Sequence, residues 1–122
     1  MKDIITLEYR DVFDNDTNKK VVFSKHLIST TFNKKSLFAL LVDGKSMQPE
    51  INDRDVIVAD LSEKELIDEG IYVLYYEEKM WIKKYRSSVK KFVSINPDFS
   101  HLIYKKDEVY IVAKVLLTCS NL

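Results

Sequence analysis

Apolar residues in this sequence come in short runs of β-branched and aromatic side chains, with only a few polar positions between one run and the next. That spacing leaves little room for helices of ordinary length and fits strands that bury one or both faces. The expected strands are Ile4–Glu8, Lys20–Phe23, Leu37–Val42, Asp55–Asp60, Ile71–Tyr76, Met80–Tyr85, Lys91–Ile95 and Val109–Leu117. Only Glu77, Glu78 and Lys79 separate Ile71–Tyr76 from Met80–Tyr85, which predicts an antiparallel hairpin, although its turn has no glycine. One helical turn is expected at Ser62-Glu63-Lys64-Glu65, a capping-box pattern followed by Leu66 and Ile67 and closed by Gly70 in a left-handed conformation. Asp11–Lys20 is polar and aperiodic and reads as an exposed loop. No segment carries two successive amphipathic helices, so a helix-turn-helix of ordinary size has no place here. The sequence predicts a mostly β domain with little helix.

The 122 residues are one domain's worth of chain, with no internal boundary, and a hydrophobic content of 46% is enough for a real core. Lysine plus arginine and aspartate plus glutamate both number 19, so no general polybasic coat exists. Contact with nucleic acid or a membrane surface therefore requires a local patch. A single cysteine, Cys119, excludes an internal disulfide framework and fits a reducing, cytoplasmic compartment. No apolar run approaches the roughly 18–20 residues that cross a bilayer. The start, Met1-Lys2-Asp3-Ile4-Ile5, lacks the apolar stretch of a secretory signal. With no Cys/His cluster at ligand spacing and no phosphate-cradling glycine loop, neither a metal nor another cofactor is expected.

The most informative segment is Leu40-Leu41-Val42-Asp43-Gly44-Lys45-Ser46-Met47-Gln48-Pro49-Glu50-Ile51. A strand ends at Val42, Gly44 permits a tight turn, and Ser46 is presented beyond it. Serine at such a position most often bonds its own backbone; the sharper alternative is a nucleophile beside free N–H groups. A nucleophile needs a base. His26 and His101 stand outside any motif and read as surface or packed histidines, whereas a lysine buried among apolar groups can be held neutral. Met80-Trp81-Ile82-Lys83-Lys84-Tyr85 offers two: on a strand Trp81, Lys83 and Tyr85 share one face, and Met80, Ile82 and Lys84 the other. By strand physics alone both lysines more commonly snorkel to solvent.

Together these residues resemble the C-terminal domain of LexA-like proteins and phage lambda-type repressors, a serine–lysine self-cleaving peptidase and dimerisation module related in fold to bacterial signal peptidases. The resemblance runs through Phe38–Val42 with Gly44-Lys45-Ser46-Met47, then Pro49, Ile51–Val58 and Glu69–Leu74. It continues through Trp81-Ile82-Lys83-Lys84-Tyr85, Asn96-Pro97-Asp98-Phe99 and Val109–Val115, in family order and over about two-thirds of the chain or more. It implies a coiled β-sheet fold, Ser46 as nucleophile, Lys83 as general base, and the backbone N–H groups of Lys45 and Ser46 as oxyanion donors. It also implies a serine endopeptidase of the dyad type, a homodimer, and DNA contact only through a DNA-binding domain outside this chain. A protein substrate is possible on the same grounds, and no membrane is implied.

Three departures stand out. The cleavage segment would fall in the divergent region 1–20, but both glycines, Gly44 and Gly70, follow acidic residues, so no Ala-Gly or Cys-Gly bond exists anywhere in the chain. Trp81 stands where the family often has a lysine-orienting threonine, and Arg54 replaces a glycine. Two alternatives remain: a peptidase acting in trans on another protein, and a small β-barrel that binds nucleic acid. The latter would use the basic residues Lys83, Lys84, Arg86, Lys90 and Lys91, which otherwise read as a solvated hairpin tip. Tyr110–Leu117 is expected as a buried or edge strand, and the resemblance gives this region a part in dimerisation.

Overall fold

The computed structural model describes residues 3–120 and is built almost entirely of antiparallel strands. These are β1 (Ile4–Asp11), β2 (Thr17–Ser24), β3 (Leu37–Leu41), β4 (Val56–Asp60), β5 (Ile71–Tyr76), β6 (Lys79–Arg86), β7 (Lys91–Val93), β8 (Tyr104–Lys105) and β9 (Tyr110–Cys119). β1 and β2 form a two-stranded hairpin, and the other seven form one sheet in the order β3-β4-β9-β5-β6-β7-β8. Helix is limited to three-residue 3-10 turns such as Pro97–Phe99. The mostly β expectation holds.

β-Branched and aromatic residues make these strands because they pack well on a pleated surface. One apolar cluster joins Ile57 and Ala59 of β4, Val73 of β5 and Ala113 of β9 to Val42, Met47 and Ile51, which flank the Ser46 turn. A second packs Ile5 and Phe23 of the β1–β2 hairpin on Leu37 and Val58. A third gathers Tyr72, Leu74, Tyr85 and Phe92 under the β5–β6–β7 half of the sheet. Each fully buried side chain of this size is worth roughly 1.5–3 kcal/mol of transfer free energy. The Ser46 turn is thus anchored at both ends in the main core.

Three expectations are corrected. The exposed loop expected over 11–20 is confined to residues 12–16: Asp11 and residues 17–20 are strand, since β1 and β2 pair from Ile4↔Ser24 to Asp11↔Thr17. The sequence looked aperiodic because the hairpin tip is solvated on both faces, and Asn15 and Asp16 turn it at φ 53° and 56°, which these residue types tolerate. The capping-box turn does not form. Asp60 Oδ1 takes both the N–H and the hydroxyl of Ser62, and the Tyr72 hydroxyl accepts from Ile67 N–H and donates to the Glu65 carbonyl. Gly70 is not left-handed either; Glu69 is, at φ 66°. Glycine is needed at 70 because a Cβ there would lie 2.9 Å from the Tyr72 ring. Of the two places expected for Tyr110–Leu117, buried or edge, β9 takes the interior one: it pairs with β4 on one side and β5 on the other. The short β8, unforeseen, closes the sheet beside β7.

Candidate active site

β3 ends at Leu41, and the chain turns through residues 42–55 before β4 begins, antiparallel to β3. Gly44 sits in this connection at φ 128°, a conformation that side chains resist, and its N–H donates to Asp53 Oδ1 at 2.8 Å. Arg54, where the resembling family has glycine, adopts φ 71°. Its N–H donates to the Val42 carbonyl at 2.8 Å, and its guanidinium lies 4.1 Å from the centre of the Phe13 ring. Both ends of the turn are tied, so Ser46 is held rather than draped.

β6 supplies the second group. Antiparallel pairing with β5 sets Lys83 opposite Tyr72, on the face that Trp81 and Tyr85 share by strand alternation. Lys83 has no exposed surface, its amine lies 5.4 Å from the centre of the Trp81 ring, and it donates to Ser46 Oγ at 2.8 Å. Burial pushes its pKa down from 10.5 to about 8, because the surrounding protein replaces the water that would solvate an ammonium. Neither commoner reading of these side chains applies: the serine hydroxyl meets a side chain from a strand 37 positions away, and the lysine does not snorkel.

Lys84, on the opposite face, behaves differently. Its amine pairs with Glu50 at 2.8 Å and Glu69 at 3.3 Å, and the hydrogen bond to Glu50 leads in raising its pKa. The two adjacent lysines are thus pushed apart by environment alone. Arg86 also meets Glu69, so much of the basic stretch is neutralised locally. His26 and His101 are exposed, and neither hydrogen-bonds Ser46 or Lys83.

The N–H groups of Lys45 and Ser46 donate to no acceptor among the described residues. Their carbonyls are engaged instead. Asn96 N–H donates to the Ser46 carbonyl at 2.9 Å, and Asn96 Nδ2 donates to the Lys45 carbonyl at 3.0 Å. Asn96 therefore clamps the turn, a role that sequence did not disclose beyond its Asn-Pro pattern. A cleft of about 250 Å³ opens here, walled by Leu40–Met47, by Met80–Lys83 and by Phe99 and Leu102. No residue of the β1–β2 hairpin lines it.

A hydroxyl hydrogen-bonded to a water-excluded amine, with free N–H groups alongside, is the equipment of serine hydrolases that use lysine in place of histidine. Here these groups stand on an antiparallel sheet. The sequence matches the family described as Peptidase S24-like over residues 5–116, and the protein belongs to that family. A search of the curated proteins returns no significant match. No helix of the described residues is long and apolar enough to cross a membrane, and no group of metal-ligating side chains occurs among them.

Proposed function

We propose that Ser46 is the nucleophile and Lys83 the general base of a serine–lysine peptidase site, carried by a single domain, residues 1–122, that serves a LexA- or phage-repressor-like transcription regulator of the cytoplasm. The observation that carries this is the 2.8 Å contact between Ser46 Oγ and Lys83 Nζ, with the lysine fully buried. Neutral Lys83 takes the proton from Ser46 as Oγ attacks a peptide carbonyl carbon. The N–H groups of Lys45 and Ser46 receive the developing oxyanion. Collapse breaks the C–N bond, Lys83 returns the proton to the departing amine, and an acyl-serine remains. Water, losing a proton to the same lysine, releases the acid and restores Ser46.

The usual self-cleavage is not part of this function, because the chain has no Ala-Gly or Cys-Gly bond. Dimerisation is part of it; with both ladders of β9 filled, a second copy meets side chains of that strand rather than its backbone. DNA contact belongs to a domain outside this chain. No cofactor enters any step. A second reading, cleavage of another protein or a second copy in trans, is favoured by the position of the hairpin outside the cleft, which leaves the site open. A nucleic-acid module is disfavoured, because Lys83 is buried and Lys84 and Arg86 are paired with carboxylates.

The test is the rate at which a fluorophosphonate probe labels Ser46 as pH is raised. Only the neutral amine accepts a proton, so labelling should climb through about pH 8. In Lys83→Ala that climb should vanish, and an unchanged profile would reject Lys83 as the base.

A further inference from the structure

Among the described residues one buried side-chain polar atom has no hydrogen-bond partner: the hydroxyl oxygen of Ser94. A buried, unbonded hydroxyl is disfavoured enough that native proteins rarely keep one without a use. Its position is specific. β6 and β7 pair as Arg86↔Lys91, Tyr85↔Phe92 and Lys84↔Val93. β7 ends at Val93, and continuing its register by one residue would set Ser94 opposite Lys83. The same extension would put Ser94 on the side of Phe92, whose ring contacts Tyr85, and this is also the side of Lys83. Two residues on, Asn96 holds the Ser46 carbonyl. The segment from Ser94 to Asn96 therefore runs from the lysine to the turn that presents the serine.

The amine for its part has spare capacity. An ammonium has three donors and a neutral amine two, and Lys83 makes a single hydrogen bond, to Ser46. The position two residues before it, on the same face, is Trp81, whose indole N–H donates to the Tyr76 carbonyl. Trp81 thus offers the amine a ring face and no acceptor. The titratable side chains around Lys83 are Tyr72 across the ladder on β5, Tyr85 on its own strand, and Asp43 and Lys45 along the cleft wall. Lys84 is turned to Glu50 and Glu69, and β7 contributes no charged group on this face.

We infer that Ser94 is a positioning residue for Lys83: its hydroxyl oxygen accepts an N–H of the amine, so that the nitrogen's lone pair is aimed at Ser46, and helps hold the ammonium formed when Ser46 gives up its proton. Serine reaches alternative acceptor positions by rotation about χ1, among three staggered wells. The inference rests on the serine–lysine reading above, and the experiment separates the two.

Wild type, Ser94→Ala and Ser94→Thr are compared by two measurements, with far-UV circular dichroism as a check that each variant is folded. The first follows Lys83 directly through the NMR shift of its labelled Cε as pH is varied. Loss of an acceptor that favours the ammonium should lower the Lys83 midpoint in Ser94→Ala by up to about one pH unit, and Ser94→Thr should restore it. The second is fluorophosphonate labelling of Ser46 above that midpoint, expected to slow roughly tenfold in Ser94→Ala and to recover in Ser94→Thr. A Lys83 midpoint that stays put in folded Ser94→Ala overturns the inference, even if labelling slows. If Ser46 labels at the same rate with and without Lys83, the dyad reading fails; the NMR midpoint still decides whether Ser94 bonds the amine.

Discussion

Replacing Lys83 by methionine, which is of similar length and carries no charge, should make the protein more stable at neutral pH while removing the proposed base. The magnitude follows from the buried amine. Its pKa falls from 10.5 to about 8 on folding, and each pH unit is about 1.4 kcal/mol. The folded state therefore carries a penalty of roughly 3 kcal/mol for the ammonium at pH 7, where both folded and unfolded chains hold the proton. The sign is fixed by proton counting. Between about pH 8 and 10.5 the unfolded chain binds more protons than the folded one, so wild-type stability contributed by this group rises with pH in that window. The penalty shrinks to about 2 kcal/mol at pH 9 and about 1 kcal/mol at pH 10. Chemical denaturation of wild type and Lys83→Met at pH 7, 9 and 10 gives the difference at each pH. Changes in packing and the lost bond to Ser46 shift that difference by a constant, and other titrating groups cancel between the two proteins. The variant's advantage should narrow by about 2 kcal/mol from pH 7 to pH 10; a difference that does not move with pH would refute a charged lysine buried at a penalty.

Three further outcomes are expected. Gly70→Ala places a methyl 2.9 Å from the Tyr72 ring and hydroxyl, so its urea midpoint should drop by the equivalent of about 1–3 kcal/mol; a midpoint within error of wild type contradicts that contact. Asn96→Ala removes the bond to the Lys45 carbonyl and the cap on Asp98 N–H but keeps the backbone bond to Ser46. It should lose about 1 kcal/mol of stability and slow Ser46 labelling, and labelling at the wild-type rate would count against a clamped turn. Glu77 and Glu78 turn the β5–β6 hairpin at φ 49° and 65°. Substituting Asn-Gly there should raise stability by about 1 kcal/mol, and a lower melting temperature would show that the glutamates hold the turn by other means.

Much of the fold could be read directly. Ile71–Tyr76 was bounded correctly, because glycine before it and charge after it mark where an apolar run stops. β4 was placed to within a residue, since a run of β-branched residues has few other uses. Elsewhere local pattern misled. The polar ends of β1 and β2 carry no apolar alternation, because neither of their faces meets the core, and the two-residue β8 is too short to leave a period. Ser62-Glu63-Lys64-Glu65 has a sound helix-start pattern that loses to Asp60 and Tyr72, partners supplied from outside the segment.

The same division runs through the site. Gly44-Lys45-Ser46 beside a strand end, and two lysines among Met80, Trp81, Ile82 and Tyr85, are legible as candidates from residue order, because turn chemistry and strand alternation are short-range rules. Which lysine has its pKa lowered is not. Lys83 and Lys84 are chemically identical neighbours, and the pleat sends one into a dry cleft against Ser46 and the other to Glu50 and Glu69. Charge state depends on water and partners brought close by strands distant in sequence, so the lowered pKa of Lys83, the clamp at Asn96 and the unpaired hydroxyl of Ser94 exist only once the sheet has closed around them.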